Sequence, residues 1–413
     1  MHFKALKLSE WQQFANVDIE FHDRLTILTG ANGSGKTTIL NLLAKHYGWD
    51  MPSLATPKEE RKTGIVKFFS RLFNGINKSD MPKIGKIEYT NNTVTALEVQ
   101  NTDEAQYRIE IVDRQSIRCL YIPSHRSIYR YKPLSNIPTS KKSKDKAFQE
   151  ISSSIKQRYF NGNEGNPGSF FMKNTLIGWV IQGYGVRNGE KAIMQADNEQ
   201  IKNFEGFQNV LKMILPKSLG FEEIEIRNME VVFICNGGKD EFILETASGG
   251  ISALIDMAWQ IYMYSTKENE KFTVMIDEVE NHLHPSMQRQ VLSDLLGAFP
   301  RANFIVSTHS PLVVGSVKES AIYVLTYNEY KKIESRRLDF DKKARTASEI
   351  LDEVLGVSVT IPLWAEKKLN DIVSKFIDEG ANASELYKIR DDLEEAGLGN
   401  LMPSAIHTMA GRE

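Results

Sequence analysis

Eight consecutive residues, Gly30-Ala31-Asn32-Gly33-Ser34-Gly35-Lys36-Thr37, complete a GxxxxGK[ST] pattern. Glycines at those positions let backbone N–H groups wrap phosphate oxygens at a helix N-terminus, Lys36 reaches the outer phosphates, and the Thr37 hydroxyl ligates Mg²⁺. With Thr38 next in line, Gly30–Thr38 form the candidate nucleotide loop. Such a loop needs a second magnesium contact and a group that activates water. Phe272-Thr273-Val274-Met275-Ile276-Asp277-Glu278 offers both in order: Asp277 at the edge of an apolar strand for the metal, and Glu278 beside it to orient or deprotonate the attacking water.

Two further stretches carry polar groups where apolar runs end. Thr246-Ala247-Ser248-Gly249-Gly250-Ile251-Ser252 opens an apolar helix, so Ser248, Gly249 and Gly250 present backbone donors and a hydroxyl to an anion. A helix cap after a flexible turn accounts for the same residues equally well. Phe304-Ile305-Val306-Ser307-Thr308-His309-Ser310-Pro311 is a buried strand with His309 at its end.

The elements that must position these groups are readable from periodicity. Residues 3–9 and 17–21 read as strands, Leu25–Leu28 as a buried strand and Thr38–His46 as a helix, so the glycine-rich loop stands between strand and helix as its chemistry requires. Segments 84–90, 93–99, 106–112 and 117–122 read as a meander, with Asn91-Asn92 as one turn. An amphipathic piece at 65–73 reads as an inserted helix. Pro133–Lys146 is a polar loop opening an insertion, with helices at about 146–160, 169–182 and 199–215. Glu223–Ile234 and Glu241–Leu244 flank Asn236-Gly237-Gly238, a hairpin signal. A helix at 250–265, a strand at 272–276, a helix at 285–298 and a strand at 303–307 complete a βαβ-type core. The tail is helical and acidic, with 9 Lys/Arg against 14 Asp/Glu over 340–413.

Composition sets the outer limits. The 413 residues are 41% hydrophobic and 25% charged, enough apolar material for a buried core, which excludes a disordered or fibrous chain. At roughly 150 residues per domain the length corresponds to about two to three structural units. A net charge of −2 leaves any charged partner to a local patch. Residues 114–150 are such a patch, with 9 Lys/Arg against 2 Asp/Glu interleaved with Tyr121, Tyr129 and Tyr131; this suits a nucleic-acid backbone, and equally a basic solvated loop. Cys119 and Cys235 make no metal spacing or disulfide framework, so a reducing compartment is expected. With no apolar run long enough to span a bilayer and no apolar signal core, the chain reads as cytoplasmic, with no membrane partner.

Taken together, the order GANGSGKTT, ASGGI, VMIDEVENHLHP and IVSTHSP resembles an ABC-type ATPase head, and among these the soluble RecF, SMC and OLD (overcoming lysogenization defect) group, including compact ATPases of bacterial anti-phage defence. The resemblance implies an α/β fold: an ABC-type P-loop ATPase with an N-terminal antiparallel β part, a helical insertion and a C-terminal helical tail. The expected division is an N-terminal ATPase lobe over 1–132, a helical insertion over 133–222, a C-terminal lobe over 223–340 and the tail over 341–413. It implies ATP and Mg²⁺ as cofactors, Ser248-Gly249-Gly250 as signature motif, Glu278 as catalytic glutamate, Glu280–Pro285 as the following loop and His309 as the switch histidine that senses γ-phosphate. Lys36 joins Glu278 and His309 in the catalytic set, Thr37 and Asp277 hold the metal, and Gly30 to Thr38 with Ser248, Gly249 and Gly250 bind nucleotide.

In that family the signature serine meets a nucleotide bound to a second subunit, so the resemblance implies a head-to-tail homodimer around two ATPs, with a higher oligomer left open. The chain departs from the pattern twice. Gln12 or Gln13 stands where arginine is frequent, and Pro123-Ser124-His125-Arg126 replaces the Q-loop, leaving His125 or Arg126 for its role. Two functions follow: an ATPase that regulates a separate effector, a nuclease or toxin, in anti-phage defence; or a RecF-like ATP-gated DNA clamp for repair.

Overall fold

The apolar runs at Leu25–Gly30, Phe272–Ile276 and Ala302–Thr308 are strands buried over their whole length in the computed structural model, as a parallel sheet covered on both faces demands. The structure describes the chain apart from residues 55–57, 60–65, 68–81, 100–104, 163–164, 267–269, 339–362, 375–382, 403–404 and 407–413. Its contacts divide it into two compact units, Met1–Ala347 and Ser348–Glu413.

The first unit opens with β1 (Phe3–Trp11), β2 (Phe14–Glu20), β3 (Leu25–Gly30) and α1 (Lys36–Ala44). Three short strands follow, β4 (Ser53–Leu54), β5 (Lys58–Glu59) and β6 (Val66–Lys67), then β7 (Lys83–Tyr89), β8 (Val94–Val99), β9 (Gln106–Tyr107), β10 (Ile109–Ile111) and β11 (Cys119–Ile122). The insertion holds α2 (Lys144–Asn161), α3 (Gly168–Tyr184), the hairpin β12 (Val186–Asn188) with β13 (Lys191–Met194), and α4 (Asn198–Ile214). Ser143 and Asp197 cap α2 and α4 by accepting from backbone N–H groups of their first turns. Next come β14 (Phe221–Arg227), β15 (Glu230–Cys235), β16 (Asp240–Ile243), α5 (Gly249–Tyr264) and β17 (Phe272–Ile276). The unit closes with α6 (Pro285–Gln288), α7 (Val291–Ala298), β18 (Ala302–Thr308), α8 (Pro311–Val314), β19 (Ala321–Tyr327) and β20 (Ile333–Leu338).

Eleven of these strands form one sheet in the order β10-β8-β7-β1-β2-β20-β19-β3-β18-β17-β11. The block β19-β3-β18-β17-β11 is parallel throughout, while β10-β8-β7-β1-β2 is an antiparallel wing. The fold is α/β. No helix among the described residues is long and apolar enough to cross a membrane.

Several expectations change, and one falls mostly outside the described residues. The segment 117–122 is not the last strand of the meander: β11 pairs in parallel with β17, Cys119 opposite Thr273 and Ile122 opposite Ile276. All four of its side chains are buried, so it lacks the solvent face of a meander strand. Residues 223–234 are two strands, because Asn228 and Met229 adopt φ of 49° and 62° and turn the chain between β14 and β15. The helix expected at 285–298 is broken at Arg289-Gln290 into α6 and α7. The segment 65–73 lies outside the described residues except for Val66–Lys67, which pairs with β5. In the second unit, α9 (Leu363–Ser374) and α10 (Ala383–Glu395) share a small core that includes Leu369, Ile372, Ile389 and Leu393.

Candidate nucleotide-binding and hydrolytic site

Strand order builds the site. Because β18 lies between β3 and β17, the residues that follow three neighbouring parallel strands meet along one edge of the sheet. The glycine-rich loop leaves β3, Asp277-Glu278 leave β17, and His309 leaves β18.

In the loop, Gly30 and Gly35 have φ of 141° and 84°, and a Cβ at Gly30 would strike the Leu325 carbonyl while one at Gly35 would strike the Phe14 ring. Two side chains from outside the motif brace it: Gln13 Nε2 and the Tyr327 hydroxyl donate to the Gly33 carbonyl at 3.0 and 3.1 Å. The Lys36 ammonium donates to the carbonyls of Gly30 and Ala31 at 2.9 and 3.0 Å, which holds it inside the curve of the loop. Burial lowers its pKa to about 8, against the opposing field of Asp277, Glu278 and Glu280.

The Thr37 hydroxyl donates to the Asp277 carboxylate at 3.0 and 3.1 Å to its two oxygens. Ser307 Oγ donates to the same carboxylate at 2.5 Å and accepts from the Glu278 N–H at 2.8 Å. Burial raises the Asp277 pKa, and the Ser307 and Thr37 hydrogen bonds offset part of that. A hydroxyl beside a buried carboxylate is a hard oxygen pair, and a dication relieves the desolvation that raises this pKa. Thr37 and Asp277 therefore fit Mg²⁺.

Glu278 has a φ of 46°, which a non-glycine residue adopts only when its surroundings hold it. Ser307 holds its N–H, Arg126 Nη2 holds its carbonyl at 3.2 Å, and Asn281 Nδ2 donates to its Oε2 at 3.0 Å. His309 Nε2 lies 3.9 Å from Glu278 Oε1, and the His309 N–H donates to Glu280 Oε1 at 2.5 Å. Burial, then the nearby Lys36 cation, lowers the His309 pKa, which keeps the ring neutral at neutral pH.

The structure thus brings Gly30–Thr38, Asp277, Glu278 and His309 together. Ser248 and Gly249 sit exposed at the start of α5, and the Ser248 hydroxyl makes no capping hydrogen bond. A Cβ on Gly250 would come within 3.1 Å of the His282 carbonyl and 3.3 Å of Met287 Sδ, so this turn needs glycine to approach the segment after Glu278. Arg126 faces the backbone carbonyls of Pro123, Asp277 and Glu278, and His125 is exposed. The Asn281 and Ser307 contacts escape sequence reasoning although both residues stand inside quoted motifs. Tyr327 is 294 residues from Gly33 in sequence and gives no local signal.

Three of the nine basic residues in 114–150 pair with carboxylates, and Arg114, Arg130, Lys132, Lys141 and Lys146 are exposed. Arg118 pairs with Glu270, Lys141 with Asp197 and Glu199, and Lys142 with Glu150, while the Lys144 ammonium stands 3.8 Å from the Tyr262 ring centroid. Tyr121 is buried.

Residues 25–315 match the family described as "AAA domain, putative AbiEii toxin, Type IV TA system", and residues 3–45 match a P-loop containing region of AAA domain. The chain is 29% identical over 181 residues to Septu protein PtuA of Bacillus mycoides (strain KBAB4), a stretch covering 42% of this chain and 24% of that protein. It is 37% identical over 81 residues to the Retron Vc95 probable ATPase of Vibrio cholerae serotype O1 biovar El Tor, covering 19% of this chain and 16% of the relative. The match therefore spans less than a quarter of the length of either relative. Among solved structures, an Smc head bound to the C-winged helix domain of ScpA is 15% identical with a TM-score of 0.47, over 83% of this chain and 99% of that one. The family match takes in most of the chain and every group gathered at the sheet edge, and the chain belongs to this AAA-domain family of P-loop ATPases.

Proposed function

We propose that the chain binds ATP with Mg²⁺ and hydrolyses it as an ABC-type head, dimerising head to tail around two ATPs and regulating a separate cytoplasmic effector, a nuclease or toxin, in anti-phage defence. One observation carries the enzymatic part: a phosphate-binding loop, a metal-fitting Thr37–Asp277 pair and a carboxylate in a held left-handed conformation meet at one sheet edge. The magnesium ion supplies charge neutralisation at the phosphates. Lys36 leaves the loop carbonyls for the outer phosphate oxygens, which compete for the same cation with full negative charge. Glu278 accepts the proton of the attacking water as the new P–O bond forms and the bond to the ADP oxygen breaks. Asn281 aims Glu278 through Oε2. The His309 ring N–H, which donates to the Gly30 backbone, would turn to the γ-phosphate when nucleotide binds.

The Ser248 hydroxyl, exposed and unused by its own helix, supports the clamp. Contacts that Ser248 makes only with a partner's bound triphosphate favour the closed dimer before hydrolysis and lose their anchor after it. The likeness to Septu PtuA and the Retron Vc95 ATPase supports the defence role. The DNA-clamp alternative has less behind it, because Arg118, Lys141 and Lys142 of the basic stretch are already neutralised by carboxylates of this chain.

The test is Ser248→Arg, which puts a bulky cation where the partner's γ-phosphate docks and leaves the chain's own P-loop intact. ATP binding to the monomer should persist, while dimer formation with ATP and turnover both fail. Full ATPase activity in this variant would show that Ser248 only starts a helix and would end the clamp mechanism.

A further inference from the structure

A seam of buried charge runs between the helical insertion, α5 and the strand end that carries Asp277 and Glu278. At its centre is Arg126, on the segment leaving β11 and only 7% exposed. Its Nη1 donates to the Pro123 carbonyl, and its Nη2 donates to the carbonyls of both Asp277 and Glu278 at 3.2 Å. Those two carbonyls flank the backbone turn that Glu278 makes at φ 46°. Asp256 on α5, 1% exposed and just over two turns beyond Ser248, adds a buried carboxylate whose field favours the Arg126 cation without an ion pair between them. Asp256 Oδ2 accepts from Gln260 at 2.8 Å, whereas Asp256 Oδ1, Arg126 Nε and the Tyr129 hydroxyl are all buried with no hydrogen-bond partner among the described residues.

The seam continues to the insertion. Tyr129 interacts electrostatically with both Asp256 and Glu245. Lys173 on α3, fully buried, pairs with Glu245 at 2.6 Å and Glu230 at 2.8 Å, and Glu245 stands three residues before Ser248. Charges taken out of water destabilise a fold unless each finds its partner, so a chain of them is poor construction for stability alone. Of these groups, Arg126 is the one that reaches the backbone of the water-facing glutamate.

We propose that Arg126 is a positioning residue for ATP hydrolysis: through its hydrogen bonds to the Asp277 and Glu278 carbonyls it holds Glu278 in its left-handed conformation. The inference rests on the ATPase reading above and adds a residue that acts through the backbone on either side of the water-facing glutamate. Arg126 itself touches neither phosphate nor water, which separates it from the catalytic residues.

The experiment compares the parent with Arg126→Lys and with the double variant Arg126→Met/Asp256→Asn. Lysine keeps a buried cation near Asp256 but has one shorter-reaching nitrogen in place of two, so it does not serve all three carbonyls at once. We expect Arg126→Lys to melt close to the parent and to bind Mg·ATP within about twofold in equilibrium titration, while kcat falls at least about tenfold. The double variant removes both charges together, so it should melt above Arg126→Met alone yet remain as slow as Arg126→Lys. Parental kcat in either variant would overturn the proposal. So would a kcat that falls only in step with ATP affinity and melting temperature, since that is a structural role. A parent that fails to hydrolyse ATP is seen before any variant is compared; it overturns the ATPase reading itself and this inference with it.

Discussion

Asp277 and Glu278 are adjacent carboxylates with separate surroundings, and the surroundings divide their work. Asp277 is buried against Thr37 and Ser307, where its oxygens are committed to hydroxyl donors and to the metal site. Glu278 is about a third exposed; its backbone is tied to the side chains of Ser307 and Arg126, and one carboxylate oxygen accepts from Asn281. The same logic separates paired carboxylates elsewhere by environment. Glu278→Gln keeps size and hydrogen bonding and removes the proton acceptor. Turnover should fall by a factor of at least several tens, on the order of what general-base catalysis contributes, while ATP still binds and the closed dimer accumulates. Single-turnover kinetics with ATP titration on the same sample checks this, and unchanged turnover would move the base to another group, with His309 next.

Among the elements, α1 joins the P-loop to the antiparallel wing, and His46 is its junction. His46 Nδ1 lies 3.0 Å from the Leu43 carbonyl and Nε2 lies 2.9 Å from the Tyr89 hydroxyl, an arrangement satisfied by the neutral ring. Its edge also meets the Phe3 ring at 5.0 Å. Burial lowers its pKa to about 4. Since the unfolded chain binds a proton near pH 6.5 and the folded chain does not until about 4, the contribution is full above pH 6.5 and is lost as pH falls through that window. Asp256 works the other way: burial raises its pKa to about 6, so its share of stability falls as pH rises toward 6. The parent alone mixes the two effects. The difference between parent and His46→Gln isolates the histidine, and it should shrink by on the order of 2 kcal/mol between pH 7 and pH 4.5 in denaturant titrations. A difference independent of pH would mean that His46 titrates alike in both states.

At the scale of the whole molecule, the proposed dimer makes each site from two chains, a P-loop from one and Ser248 from the other. Mixing Lys36→Ala with Ser248→Arg tests this. A mixed dimer has one site carrying both lesions and one carrying neither, so the mixture should hydrolyse ATP faster than either variant alone, up to about half the parental rate per mixed dimer if the sites act independently. A titration of one variant against the other at constant total protein reads it out. Recovery would be hard to obtain from sites built within a single chain, because each variant then carries its own lesion at every site.

Much of the site is legible in the sequence because its parts are contiguous. Gly30 to Thr37, the apolar run ending in Asp277-Glu278 and the strand ending at His309 each announce an element and a terminus, since periodicity and turn chemistry act over a few residues. The insertion helices are legible for the same reason. Pairing partners are a different kind of information. Cys119–Ile122 looks like one more meander strand until the sheet places it beside β17, and the tight turn at Asn228-Met229 divides a segment that reads as one continuous strand. Arg118 looks like part of an offered surface until its carboxylate arrives from Glu270, 152 residues further along the chain. Arg126 reads as a replacement for a phosphate contact until the strands bring the Asp277 and Glu278 carbonyls to it, 151 and 152 residues further along the chain. The sequence by itself determined the candidate motif residues and the local elements that bear them. Only the tertiary structure decided what holds those residues in place, because a strand's neighbour and a buried charge's partner are set by packing between segments that are far apart in the chain.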